Sequence, residues 1–150
     1  MPHTTVWVNR SAVADMVAEA ERAHPDETGG MRLGWTNLDR KEVVVATTVG
    51  PGPIAEHHPT RFAPDADWQQ THLDAVYRRT STKITYLGDW HVHPQGGFGM
   101  SRRDRRTMAH TANAPEARCP HPLMALLFVQ PADQDFKRRP RHDSNMRHKV

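Results

Sequence analysis

Two histidines one residue apart, His91 and His93, are followed by Ser101 and, three residues further on, by Asp104. Side chains of an extended strand alternate between its faces, so His91 and His93 project to the same side. Two imidazoles on one face can hold a single metal ion, and Asp104 could close a third side. Three protein ligands with one position left for water describe a catalytic zinc site, not a closed structural one. Such a site also needs a proton acceptor close to the water that zinc acidifies. Glu27, in Asp26-Glu27-Thr28-Gly29-Gly30, is the candidate. Its two following glycines would let the backbone turn tightly and enter a strand without side-chain interference.

These residues have plainer readings too. A serine followed three positions later by an acid is close to a helix capping box, so Ser101 and Asp104 could do no more than start a helix. A helix start would also position both side chains, so capping and ligation can coexist. The histidine pair, taken alone, could be two strand residues making ordinary polar contacts. His57 and His58 fall in a proline-rich stretch and are expected to be solvent-exposed. Cys119 and His121 lack a second pair nearby, and Cys119 reads as a loop or partly buried thiol.

The elements that must hold these residues follow from pattern. Thr4 to Val8 reads as a first strand. Ser11 caps a helix running to about His24, with Val13, Met16, Val17 and Ala20 as its apolar stripe and Pro25 as its stop. Met31 to Trp35 and Glu42 to Val49 form a hairpin, and Gly50 to Ala66, with its prolines and glycines, reads as an irregular loop. A second helix opens at Pro64-Asp65-Ala66-Asp67 and buries Trp68, Leu73, Val76 and Tyr77. Ile84 to His93 is the strand carrying the histidines, with Trp90 facing the core opposite His91. A third helix runs from Ser101 to about Asn113, and the apolar run Leu123 to Gln130 reads as a central strand. Gln95 to Gly99 is rich in small residues and suits the edge of a substrate groove. Strands interleaved with helices predict an α/β (α+β) domain, a mixed sheet flanked by helices, over residues 4–131.

Composition bounds the rest. The 150 residues suffice for one domain, yet only 37% are hydrophobic, and the mean hydropathy is −0.76. Residues 132–150 are charged and have little to bury, and they read as a basic, poorly ordered tail. No apolar run approaches the roughly 20 residues that span a bilayer. The start, Met-Pro-His-Thr-Thr, lacks the pattern of a secretion signal, and the single cysteine suits a reducing cytoplasm. The net charge of +3 is concentrated in Arg102, Arg103, Arg105 and Arg106 and in the tail. No aromatic residues alternate with those arginines, so a nucleic-acid partner is not expected.

Glu27-Thr-Gly-Gly, Gly88-Asp-Trp-His91-Val-His93-Pro94 and Ser101-Arg-Arg-Asp104 together resemble the motif of the JAB/MPN metallopeptidases, also called JAMM proteases. That motif is a glutamate, then His-x-His, seven residues, and Ser-x-x-Asp; positions 94–100 supply the seven. The resemblance runs from about Val6 to Val129 and is strongest with the small prokaryotic branch, in which a segment like Tyr86 to His91 is typical. It implies a cytidine-deaminase-like layered domain and one zinc per chain held by His91, His93 and Asp104. Glu27 would be general base and then general acid, and Ser101 would donate to the oxyanion. The implied reaction is hydrolysis of the amide at the C-terminus of a ubiquitin-like protein, in a conjugate or a precursor. The alternative is a noncatalytic MPN-type scaffold that binds a protein partner.

Overall fold

The computed structural model describes residues 4–94 and 99–128. Most of the groove segment expected at 95–99, the end of the expected last strand and the tail at 132–150 lie outside the described residues. A five-stranded mixed sheet has the order β1-β3-β2-β6-β7, built from β1 (Thr5–Val8), β2 (Gly29–Asn37), β3 (Glu42–Val49), β6 (Thr85–His93) and β7 (Ala125–Phe128). The expected hairpin is the antiparallel β2–β3 pair; β6 runs antiparallel to β2, while β1 and β7 pair in parallel with β3 and β6. A small second sheet, β4 (Glu56–His58) with β5 (Arg61–Ala63), is an antiparallel hairpin inside the stretch expected to be irregular. Its residues find backbone partners in each other, so the proline-rich stretch is more ordered than its composition suggests. Among the described residues, no helix is long and apolar enough to cross a membrane.

One helix, α1 (Arg10–Ala23), covers one face of the sheet through Ala12 and Met16. Its cap is Asn9, whose side chain accepts from the Ser11 N–H, so Ser11 lies within the first turn and not at the cap. The buried stripe keeps Met16 and Ala20 of the expected one, adds Ala12 and leaves out the two valines. Ala12 and Met16 point inward, while Val13 and Val17 remain 44% and 41% exposed. The small Ala12 side chain meets Val43, Val45 and Leu87 directly, which brings the helix backbone close to the sheet there.

On the opposite face lie α2 (Ala66–Arg79), capped by Asp65, and α3 (Arg102–Asn113), capped by Ser101. The most buried α2 side chain is Gln69, which donates to the Gly50 carbonyl (2.9 Å); Trp68, Leu73, Val76 and Tyr77 are half-buried. The hydrogen bond to Gly50 offsets the cost of burying the Gln69 amide. Among the described residues β7 is an edge strand, not a central one. Its residues are half-buried, and Ala125 and Leu127 pack against Met16, Trp90 and Val92.

In β6 the pairing with β2 slips: Arg32 opposes Gly88 and Leu33 opposes Tyr86, leaving Leu87 with no residue opposite. Strict alternation would put Leu87 on the same face as Asp89, His91 and His93. The bulge instead sends Leu87 to the α1 side, against Ala12, Val43 and Val45. Gly88 makes the bulge possible, with φ +134° and a position where a Cβ would lie 2.6 Å from the Leu123 nitrogen.

Candidate metal centre

The last four residues of β6 alternate as expected. Trp90 and Val92 pack under α1 with Met16, while His91 and His93 project onto the opposite face. The first turn of α3 lies over them and presents Asp104. His91 Nε2 stands 3.1 Å from Asp104 Oδ1, His93 Nε2 stands 3.5 Å from Oδ2, and the two Nε2 atoms are 3.0 Å apart. One ligand atom from each residue falls within 4.8 Å of the others. Four donors at zinc's bond lengths and tetrahedral angles stand about 3.3–3.5 Å apart. The three side chains therefore already have the spacing of one face of such a tetrahedron. They are 18%, 12% and 6% exposed, so a cation held there would be largely shielded yet open on one side.

The capping reading of Ser101 and Asp104 holds, and the cap leaves the carboxylate facing the histidines. Ser101 Oγ accepts from the Asp104 N–H (3.1 Å), and Asp104 Oδ2 accepts from the Ser101 N–H (2.6 Å). This reciprocal pair fixes the carboxylate's rotamer, which aims both oxygens at the histidines. Burial works against the Asp104 charge, but the Ser101 hydrogen bonds and the two histidines hold its carboxyl below the ordinary range. Burial pushes the His91 imidazole towards its neutral form, against the pull of Asp104. Neutral imidazole with ionised carboxylate is the protonation state that metal ligation requires.

Glu27 reaches the same place from a distant part of the chain. The Val92 N–H donates to the Thr28 carbonyl (2.9 Å), extending the β2–β6 ladder one step beyond Gly29–His91 and bringing Glu27 beside His93. Burial raises the Glu27 carboxyl above the ordinary range; Asp104 adds to this, and His93 and Arg103 oppose it. The glycine after Thr28 serves close packing and not a tight turn: Gly29 lies within the strand, where a Cβ would come 2.7 Å from the Cβ of His91. A larger residue would displace the first histidine.

Glu27, His91, His93, Ser101 and Asp104 line one cleft of about 1010 Å³. Phe62 and Pro59 of the β4–β5 region form part of its wall, and Asp89 and Tyr86 continue it along β6. Asp89 accepts from the Tyr86 hydroxyl (2.9 Å), and burial raises its carboxyl against that bond and the nearby Arg32 charge. All five residues singled out from sequence thus come together. His57 was expected to be exposed, and the structure places it otherwise: it is half-buried in β4, with Nδ1 3.0 Å from the Glu27 carbonyl. His58 is exposed, and its carbonyl accepts from the Glu27 N–H (2.9 Å). No spacing signal marks this, because the contact joins residues 30 apart through a hairpin that composition conceals.

The family described as prokaryotic homologs of the JAB domain matches residues 9–140. A protein of Sinorhizobium fredii named probable metalloprotease y4qB is 37% identical over 127 residues, spanning 84% of this chain and 77% of that one. A protein of Enterobacter hormaechei named CD-NTase/cGAS isopeptidase is 32% identical over 130 residues, or 85% and 69% of the two chains. The solution structure of protein DSY2949 from Desulfitobacterium hafniense shares the fold with a TM-score of 0.55 at 24% identity. That match covers 68% of this chain and 66% of the other, just under two thirds of its length. A His-His-Asp triad able to hold a metal ion, a family match across most of the chain and relatives named for proteolysis agree with one another: the chain belongs to the prokaryotic JAB family and is a metallopeptidase of the JAMM type.

Proposed function

We propose that this chain is a zinc-dependent isopeptidase or peptidase that hydrolyses the amide at the C-terminus of a ubiquitin-like modifier, in a conjugate or a precursor. The observation that carries the reading is the convergence of His91, His93 and Asp104 within 4.8 Å, in the cleft that Glu27 and Ser101 also line. Two imidazoles and one carboxylate with an open position form a donor set suited to zinc. When bound, zinc acidifies water and polarises a carbonyl oxygen. Glu27 takes a proton from the attacking water and returns it to the leaving amine; its raised carboxyl suits both halves of that transfer. Ser101 Oγ already accepts from Asp104, which leaves its O–H to donate to the developing oxyanion.

The isopeptidase name of the Enterobacter relative supports a bond between a modifier's C-terminus and a target amine. A cytoplasmic site of action, a domain over residues 4–131 followed by a basic tail, and a cytidine-deaminase-like layering of the mixed sheet go with the same reading.

The test uses a ubiquitin-like protein joined through its C-terminus either to a lysine side chain or to an α-amine. Wild type should carry about one zinc and cleave at least one of the two, and a chelator should abolish cleavage. Glu27→Gln should keep its zinc and lose roughly 10²- to 10⁴-fold in kcat. Full turnover in that variant would sink the mechanism. Protein that carries no metal and holds a stable partner would indicate the scaffold instead.

A further inference from the structure

We propose that His57 is a positioning residue for Glu27, holding the base in place through its backbone. The proposal rests on the reading of Glu27 as the proton carrier. Glu27 lies in the connection between α1 and β2, outside any helix or strand, where little else would fix it. Both polar groups of its backbone are nevertheless held by one element. Its N–H donates to the His58 carbonyl (2.9 Å), and its own carbonyl accepts from His57 Nδ1 (3.0 Å). A carbonyl cannot donate, so the proton of that bond belongs to Nδ1, and the contact sets the tautomer of the ring.

One residue on, the chain is pinned from other sides. Thr28 is fully buried, its hydroxyl donates to Glu19 Oε1 (2.7 Å), and its carbonyl accepts from the Val92 N–H (2.9 Å). The β4–β5 hairpin therefore grips residue 27 while β6 and α1 grip residue 28. The His57 ring also packs against Phe62, with centroids 5.5 Å apart, and Phe62 lines the cleft. A single hairpin thus forms part of the wall of the cleft and fixes the origin of the base. Removing the His57 contact frees the peptide between residues 27 and 28 to rotate. A displacement of about one ångström at a reacting group can cost up to roughly 100-fold in rate.

The test uses the full chain loaded with zinc and a ubiquitin-like protein bearing a C-terminal coumarin amide. His57→Ala should lower kcat roughly 10- to 100-fold, with KM and zinc content unchanged. His57→Asn, whose amide N–H can replace Nδ1–H, should recover most of that loss. The ¹⁵N spectrum of the wild-type ring, which needs no variant, should show Nδ1 protonated. A ring whose Nδ1 carries no proton, unchanged kcat in His57→Ala, or a change confined to KM overturns the proposal. A wild type that cleaves no such probe counts against the proposed function instead. The positioning role is then judged on the ring spectrum and on amide exchange at Glu27, which His57→Ala should accelerate and which, if unaltered, overturns it.

Discussion

The two faces of β6 differ sharply in chemistry. Towards α1, Leu87, Trp90 and Val92 are buried among Ala12, Met16, Val43 and Val45 without a charge among them. Towards the cleft, Asp89, His91 and His93 carry ionisable groups, each held by a polar partner. One strand thus anchors the fold with one set of side chains and presents the candidate metal ligands with the other. Ligands mounted on a strand whose reverse face is tightly packed are held to a fixed geometry, as a metal centre requires. The difference predicts that substitutions on the two faces affect separate properties.

The largest expected effect is on the cleft face. His93→Ala should reduce metal affinity by more than the roughly 10- to 100-fold that loss of an outer partner costs. Turnover should fall with it, while the melting temperature of the metal-free protein stays near that of wild type. Titration with zinc and thermal unfolding in chelator check both halves; a collapse in metal-free stability would show that the faces are not separable. On the packed face, Trp90→Ala should cost about 3–5 kcal/mol in denaturant unfolding, since it empties a large, fully enclosed volume. Gly88→Ala strikes the bulge that divides the two faces. With φ +134° and backbone atoms of Leu123 where a Cβ would stand, it should cost about 1–3 kcal/mol in the same assay.

Smaller effects sharpen the boundary of the site. Glu19 is opposed by burial, yet hydrogen bonds from Arg22 and Thr28 hold its carboxyl below the ordinary range. A depressed folded pKa stabilises above the unfolded value and loses that contribution as pH falls through the folded one. Glu19→Gln should therefore destabilise by about 1 kcal/mol at neutral pH. Unfolding curves of the two proteins should converge under acid conditions, below the ordinary glutamate range. Val13→Thr, on the exposed side of α1, should shift stability by no more than about 0.5 kcal/mol. A larger loss in denaturant melts would show that this face is covered in solution.

Legibility from sequence followed the range of the forces involved. The α3 start was readable because Ser101 and Asp104 cap the helix through contacts three residues apart, a spacing fixed by helix geometry. The shared face of His91 and His93 was readable because alternation along a strand is local. Of the α1 stripe, Met16 and Ala20 face the core as expected and Val13 and Val17 do not, because all four satisfy the helical period equally well. Only close contact between Ala12 and the sheet selects the rotation. The β4–β5 hairpin was missed because Pro59 and its neighbours carry loop composition, although the strands on either side pair.

By itself the sequence determined the family and named the candidate donors and base, since residue types and short spacings encode donor chemistry and local geometry. Only the tertiary structure decided that Leu87 leaves the cleft face through the bulge at Gly88, and that the Ser101–Asp104 pair caps a helix while aiming a carboxylate at two imidazoles. It alone brought His57 to the backbone of Glu27. These outcomes depend on sheet register and on contacts between distant segments, which a one-residue slip would reverse and which no local pattern records.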